Sequence, residues 1–129
     1  KRNVSGSDNK FSFHWHGTGN DIYLFEAPID MLSFISMHPI EWRNNSYAAA
    51  CSVADNVLFQ CLEDNKHVEQ VYICFDNDNA GQTAAQRLSD KLFIKGIKSE
   101  ILIPTLKDWN EDLLFSKQEV DKKWMVQLS

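Results

Sequence analysis

No apolar run in this chain approaches the roughly 20 residues that a membrane-spanning helix needs. No signal peptide opens it either, so no membrane partner is expected. The three cysteines are odd in number and widely spaced, and the absence of a CxxC pair removes a zinc ribbon from consideration. Cys61 and Cys74 fall within apolar patterns, as expected of reduced, buried thiols in a cytoplasmic protein. Basic charge is also scarce. The formal net charge is −5, and residues 1–20 hold +2 of it, which leaves −7 for residues 21–129. A domain that grips nucleic acid alone usually shows a basic face. If nucleic acid is the substrate, a bound metal and neighbouring domains would have to supply much of the attraction for phosphate. The chain opens on Lys1 rather than Met and is expected to be a piece of a longer protein.

What is present is the composition of one globular domain: 129 residues, 43% hydrophobic and 24% charged, with no internal repeat. Residues 1–10 are polar and aperiodic and read as a lead-in, leaving 11–129 as a single domain. Phe11 to His16 alternates strictly, which predicts a half-buried strand with Trp15 in the core and His14 and His16 on the other face. The turn cluster Gly17 to Asp21 and a second strand, Ile22 to Phe25, then predict a hairpin. Pro28 suits the first turn of a helix reaching about Met37. A short strand, Tyr47 to Cys51, precedes a helix over about Ala54 to Asn65, with Ser52 or Asp55 as its cap. An uncharged run, Val71 to Phe75, reads as a strand buried on both faces. A helix from about Ala80 to Ile94 follows, with Ala84, Leu88 and Leu92 inward and Gly96 at its end. Glu100 to Ile103 is the next strand, and Pro104 to Trp109 a loop. Two short helices close the chain, near Glu111–Phe115 and Gln118–Leu128, the second introduced by capping-box spacing at Ser116 to Glu119. The expected fold class is α/β: a mainly parallel sheet of about four strands flanked by helices, with an N-terminal hairpin strand added.

In such folds ligands sit beyond the carboxyl ends of the strands, and that is where the acids fall. Asp76 and Asp78 follow the buried run 71–75. Side chains two apart on extended backbone point to one side, so the two carboxylates can converge. Such a pair suits Mg²⁺, which takes one or two carboxylates and completes its octahedron with water and phosphate oxygens. Asp78, just before Ala80, equally suits a helix cap. Glu26 ends a strand, and Asp30 lies in the first turn of the next helix, where a carboxylate also favours the helix dipole. Lys107, Asp108 and Asn110 follow the last strand. His14 and His16 could chelate a metal but have no third ligand nearby in sequence. Trp42 and Trp109 lie in predicted loops near the acids and are the candidates for base stacking.

Three stretches in this order, "FEAPIDMLS", "FDNDNAGQ" and "KDWNEDLL", resemble the Toprim domain shared by bacterial replicative primases, topoisomerases, small nucleases and recombination proteins. The resemblance covers roughly residues 20–115 and is nearest the primase-like Toprim modules of mobile elements. It implies a Toprim-like fold with Glu26 as general acid/base, Asp30 as a supporting catalytic acid, and Asp76, Asp78 and Asp108 as ligands for Mg²⁺ or Mn²⁺. Lys107 and Asn110 are candidates for substrate contact. Primases often write the last acidic turn as DPD. Here Trp109 and Asn110 replace its last two residues, which removes a charge from any second metal site. Cys51 and Ser52 stand where relatives tend to place a glycine.

The resemblance implies nucleic acid, DNA first, as partner. The activity it implies is primase-like nucleotidyl transfer within a larger replication or mobilisation protein. A metal-dependent nuclease (OLD-like) is the alternative, and a non-catalytic DNA-binding scaffold is the rival from another class.

Overall fold

Ile22, Leu24 and Phe25 in one segment, and Val71, Ile73 and Cys74 in another, are almost wholly buried. Segments that are apolar on both faces need a strand on each edge and a helical layer on each side. The computed structural model, which describes residues 13–49 and 55–128, provides both. Its elements are β1 (Phe13–Trp15), β2 (Asp21–Phe25), α1 (Pro28–Met37), β3 (Ser46–Ala49), α2 (Asp55–Asp64), β4 (Gln70–Ile73), α3 (Asn79–Ile94), β5 (Lys98–Ile101) and α4 (Trp109–Leu128). A 3-10 turn, Trp42–Asn44, precedes β3. The five strands lie in the order β1-β3-β2-β4-β5, and only β1 is antiparallel to its neighbour.

The core has two layers. Leu58 and Leu62 of α2 and Ala85, Leu88 and Leu92 of α3 cover Ile22, Leu24, Ala48, Val71 and Ile73. On the opposite face Met31 and Phe34 of α1 and Trp109 of α4 pack on Phe25, Tyr47 and Cys74. The mainly parallel α/β sheet is as the sequence led us to expect. So is the start of α1 at Pro28, and so is Gly96, which follows α3 with φ 76°. Among the described residues no helix is long and apolar enough to cross a membrane.

Several local expectations are corrected. The added N-terminal strand does not form a hairpin with β2. It pairs with β3, Phe13 opposite Ala49 and Trp15 opposite Tyr47. Both edges of β2 are taken by parallel strands, β3 and β4, so β1 must cross to the outer edge of β3. Gly17 donates its N–H to Ser46 Oγ at 3.0 Å, and Gly19 donates to the Asn44 carbonyl at 2.6 Å. A Cβ at Gly17 would strike the carbonyls of Asn44 and Asn45, so the crossing needs bare backbone there.

Trp15 is not core. It is 39% exposed, packs at a tilt against Trp42 with ring centroids 5.1 Å apart and donates its indole N–H to the Arg43 carbonyl. The two closing helices are one, α4, because no residue between Phe115 and Gln118 breaks a helix and Ser116 is tolerated within one. β5 begins two residues earlier than expected, at Lys98. The expected lead-in 1–10, the possible cap at Ser52 and the departure at Cys51 and Ser52 lie outside the described residues.

Candidate functional site

β2 and β4 are adjacent parallel strands whose connections diverge. The chain leaves β2 through α1 toward β3 on one side, and leaves β4 through α3 toward β5 on the other. Such a divergence opens a crevice at the carboxyl ends. Glu26 stands directly after β2, and Asp76 leaves β4 beside it.

The two side chains are within hydrogen-bonding reach of each other. Burial, and then the charges of Asp76 and Asp78, push Glu26 up to about 7. Burial also raises Asp76, reinforced by Asp108 and Asp78 and opposed by its hydrogen bond with Glu26 and by the Lys107 charge. Oδ1 of Asp76 is buried with no hydrogen-bond partner.

Asp78 is the N-cap of α3, its Oδ1 accepting the Gly81 N–H at 2.7 Å. Asp108 plays the same part for α4, accepting the Glu111 N–H at 2.8 Å. Both keep one carboxylate oxygen outside the cap. Asp30, 4% exposed, accepts the Asn110 N–H at 3.2 Å, while Asn110 Oδ1 accepts from the buried Ser33 hydroxyl at 3.2 Å. This cluster ties α1 to the start of α4. Burial lifts Asp30 to about 6, with the Asn110 N–H pulling the other way and the Asp108 and Asp76 charges adding to the rise.

Glu26, Asp30, Asp76, Asp78 and Asp108 thus act on one another electrostatically, with Lys107 as a nearby counter-charge. Among the described residues no three His, Cys, Asp or Glu side chains are disposed to hold a metal ion by themselves. A hard divalent cation needs fewer protein ligands than that, because water and phosphate oxygens complete its shell. An unpartnered buried carboxylate oxygen among repelling acids is a donor set that fits such an ion.

Several supports went unseen in the sequence. Gly81 lies where α3 passes the backbone of Asp76. A Cβ there would strike the Asp76 carbonyl oxygen and come within 3.1 Å of its C and N. Gly81→Ala is expected to cost about 1–3 kcal/mol, read from denaturant unfolding, and to weaken metal binding by shifting Asp76. Gln82 donates to the Asp76 carbonyl at 2.9 Å. Asn77 takes the Lys107 carbonyl with its N–H at 2.7 Å and the Pro104 carbonyl with its side chain at 3.1 Å. Asp112 grips the N–H groups of Thr105 and Leu106 with one oxygen each, at 2.9 and 2.8 Å. A glycine in the first turn of a helix was the only sequence signal among these.

Neither tryptophan is placed to stack a base at this crevice. Trp109 is buried, donates its indole N–H to the Cys74 carbonyl at 3.0 Å and meets Phe34 edge-on at 5.0 Å. Trp42 precedes β3, at the amino ends of the parallel strands, away from the acids. His14 and His16 face each other at 5.0 Å near that same end, without a third ligand among the described residues.

The raised carboxyls have a consequence for stability. Groups held above their ordinary values, 4.5 for Glu26 and 3.8 for Asp30, bind protons more tightly in the folded state. They favour folding below those values and cease to do so as pH rises through about 6 and about 7. The ion-free domain is therefore expected to melt lower at pH 8 than at pH 5, and Glu26→Gln should flatten that slope.

The profile of the Toprim-like family matches residues 23–113, which span β2 through the first turns of α4 and contain every acid described above. The chain belongs to the Toprim-like family. An uncharacterised protein of Mycoplasma genitalium, MG010, is 31% identical over 99 residues, covering 75% of this chain and 43% of that protein. Among solved structures, this Toprim-like chain superposes on the primase fragment of the bacteriophage T7 primase-helicase with TM-score 0.63 at 24% identity, covering 94% of this chain and 50% of that one. T7 primase domains bound to an RNA/DNA hybrid and dTTP, in complex with the phage polymerase, give TM-score 0.60 at 25% identity over 88% of this chain and 55% of that one. The Aquifex aeolicus primase gives TM-score 0.54 at 23% identity, covering 80% of this chain and 25% of that one. The Toprim-like chain thus spans about half the length, or less, of these relatives. Family and fold together mark a nucleic-acid-processing domain.

Proposed function

We propose that this domain carries out primase-like nucleotidyl transfer with Mg²⁺ or Mn²⁺, as one module of a larger protein that replicates or mobilises DNA. The observation that carries the reading is the buried, unpartnered Oδ1 of Asp76 set against Glu26 at the switch point of the sheet. Asp76, with the oxygen of Asp78 left outside its cap, would hold the ion, water and phosphate oxygens would complete the shell, and Asp108 would add its charge nearby. When bound, the ion supplies Lewis-acid polarisation of a phosphoryl oxygen and neutralises developing charge.

Glu26 supplies proton transfer. Held near 7, it exchanges a proton close to neutral pH and can accept one from an attacking hydroxyl or give one to a leaving oxygen. Positioned transfer of this kind is typically worth about 10²–10⁴-fold in rate. Asp30 holds Asn110 and so fixes the start of α4, which makes it a positioning acid as much as a catalytic one. Lys107, whose charge acts on Asp76, would meet phosphate once an ion offsets the surrounding acids. The primase-like wording of the motifs and the primase folds of the neighbours support this choice over hydrolysis.

The test uses the full-length protein with a single-stranded template, nucleotides and Mg²⁺ or Mn²⁺. New oligomers, lost in Glu26→Gln, are the expected result. Shortened template would instead favour the nuclease. Metal-independent DNA binding, unchanged in Asp76→Asn and without either product, would leave only the scaffold.

A further inference from the structure

β5 is an edge of the sheet and pairs only with β4. Leu102 donates its N–H to the Ile73 carbonyl across that ladder at 2.9 Å. Backbone groups of alternate residues on a strand point to opposite sides. Lys98 and Glu100 therefore turn theirs toward β4, in step with Leu102, while Ser99 and Ile101 turn theirs outward. Among the described residues nothing pairs with that outer edge.

The side chains divide between the two faces of the sheet. Ser99 lies on the α3 side, its hydroxyl 3.2 Å from that of Ser89, and Ile97 and Ile101 pack against the core there. Lys98 and Glu100 point to the other side, are exposed, and make no ion pair within the chain among the described residues.

We infer that this edge joins a second copy of the chain, β5 against β5, antiparallel about a two-fold axis at Ser99. The charges single out the copy and the register. Outward backbone groups meet whichever residue lies at the axis, so the side chains decide: centring on Lys98 or on Glu100 would set that residue opposite its own copy, like charge against like. Centring on Ser99 sets Lys98 opposite Glu100 of the second copy, Glu100 opposite its Lys98, and Ile97 opposite its Ile101. Centring on Ile101 would set Glu100 opposite Leu102, and centring on Ile97 would set Lys98 opposite Gly96. In the Ser99 register the two charge pairs occupy the non-hydrogen-bonded positions, where facing side chains are closest. A two-fold interface must be self-complementary in this way.

Apolar surface beside the edge adds area that a four-residue strand lacks. Phe93 lies one turn beyond Ser89 on the same side of α3, toward β5, and is 81% exposed. Ile94, the last residue of α3, and Ile103, two residues past the strand, are 82% and 54% exposed. A free edge flanked by exposed apolar side chains invites pairing.

Sedimentation equilibrium of the 129-residue chain, from about 1 μM to about 1 mM, reads the association. A reversible dimer within that range is expected. Lys98→Glu places like charges opposite each other twice and should raise the dissociation constant about tenfold or more. Combining it with Glu100→Lys restores both pairs and should return the constant to near the wild-type value. Circular dichroism melts check that both variants keep the fold. A chain that stays monomeric throughout, a dimer indifferent to Lys98→Glu, or a swap variant no tighter than the single reversal overturns the inference.

Discussion

Asp76→Asn will abolish saturable Mn²⁺ binding and, in the absence of any ion, raise the melting temperature of the domain. Both halves come from one oxygen. Oδ1 of Asp76 is buried without a partner, and the same carboxylate faces Glu26, Asp78 and Asp108. Asn keeps the shape, removes a charge, and brings an N–H that Glu26 can accept. Removing like-charge repulsion of about 1 kcal/mol, after allowance for screening by solvent, raises Tm by about 3–6 °C in a domain this size. Wild type should respond oppositely to metal: at 100 times its dissociation constant an ion adds about 2.7 kcal/mol of stability. Two sets of melting curves, with and without Mn²⁺, beside a calorimetric titration, test the claim. Undiminished binding in the variant, or a variant less stable than ion-free wild type, would sink it. In the full-length protein the same substitution should lower Mg²⁺-dependent turnover by about 10²–10³-fold, the scale of losing one charge-stabilising group.

Trp109→Ala should be the most damaging single truncation in the chain, at about 3–5 kcal/mol. The indole fills the space beside Phe34 and Phe25, and its N–H is the partner of the Cys74 carbonyl, two residues before Asp76. Its loss leaves a cavity and an unpaired carbonyl at the point where β4 delivers the acid. Trp109→Phe separates the two contributions: it keeps most of the packing and loses the hydrogen bond, for about 1–3 kcal/mol. Denaturant midpoints measure both. Mn²⁺ affinity should fall in the Ala variant even at temperatures where it remains folded, because Lys107 and Asp108 ride on the segment that Trp109 anchors. A variant that loses stability but binds Mn²⁺ as wild type does would show that segment to be irrelevant to the ion.

The central strands were legible because burial leaves a plain mark. Val71 to Phe75 is an uncharged run, and the acids at its end stand out against it. Glu26 and Pro28 after Phe25 mark a strand giving way to a helix in the same manner. Pairing across the sheet leaves no such mark. The turn signals between Trp15 and Ile22 are those of a hairpin, yet β3, more than 20 residues further on, takes the place beside β2. The tryptophans misled for a related reason. An aromatic residue beside an acidic motif reads as a platform for bases, but the indole N–H of Trp109 finds a backbone carbonyl 35 residues away. Asp112 was invisible because a carboxylate on a helix otherwise polar at that point has no local cue that it grips a distant loop.

The segment 102–108 lies on the surface and carries two of the charged residues at the crevice, yet it is fastened from three directions, by Asn77, by Asp112 and by Trp109 just beyond it. Such a strap does not swing. Its amides at Thr105 and Leu106 should exchange with deuterium far more slowly than exposed loop amides do. The entropy of arranging Lys107 and Asp108 is settled when the chain folds, so under the proposed function a polyphosphate would meet a crevice already in shape, and any adjustment on binding would fall to the ligand.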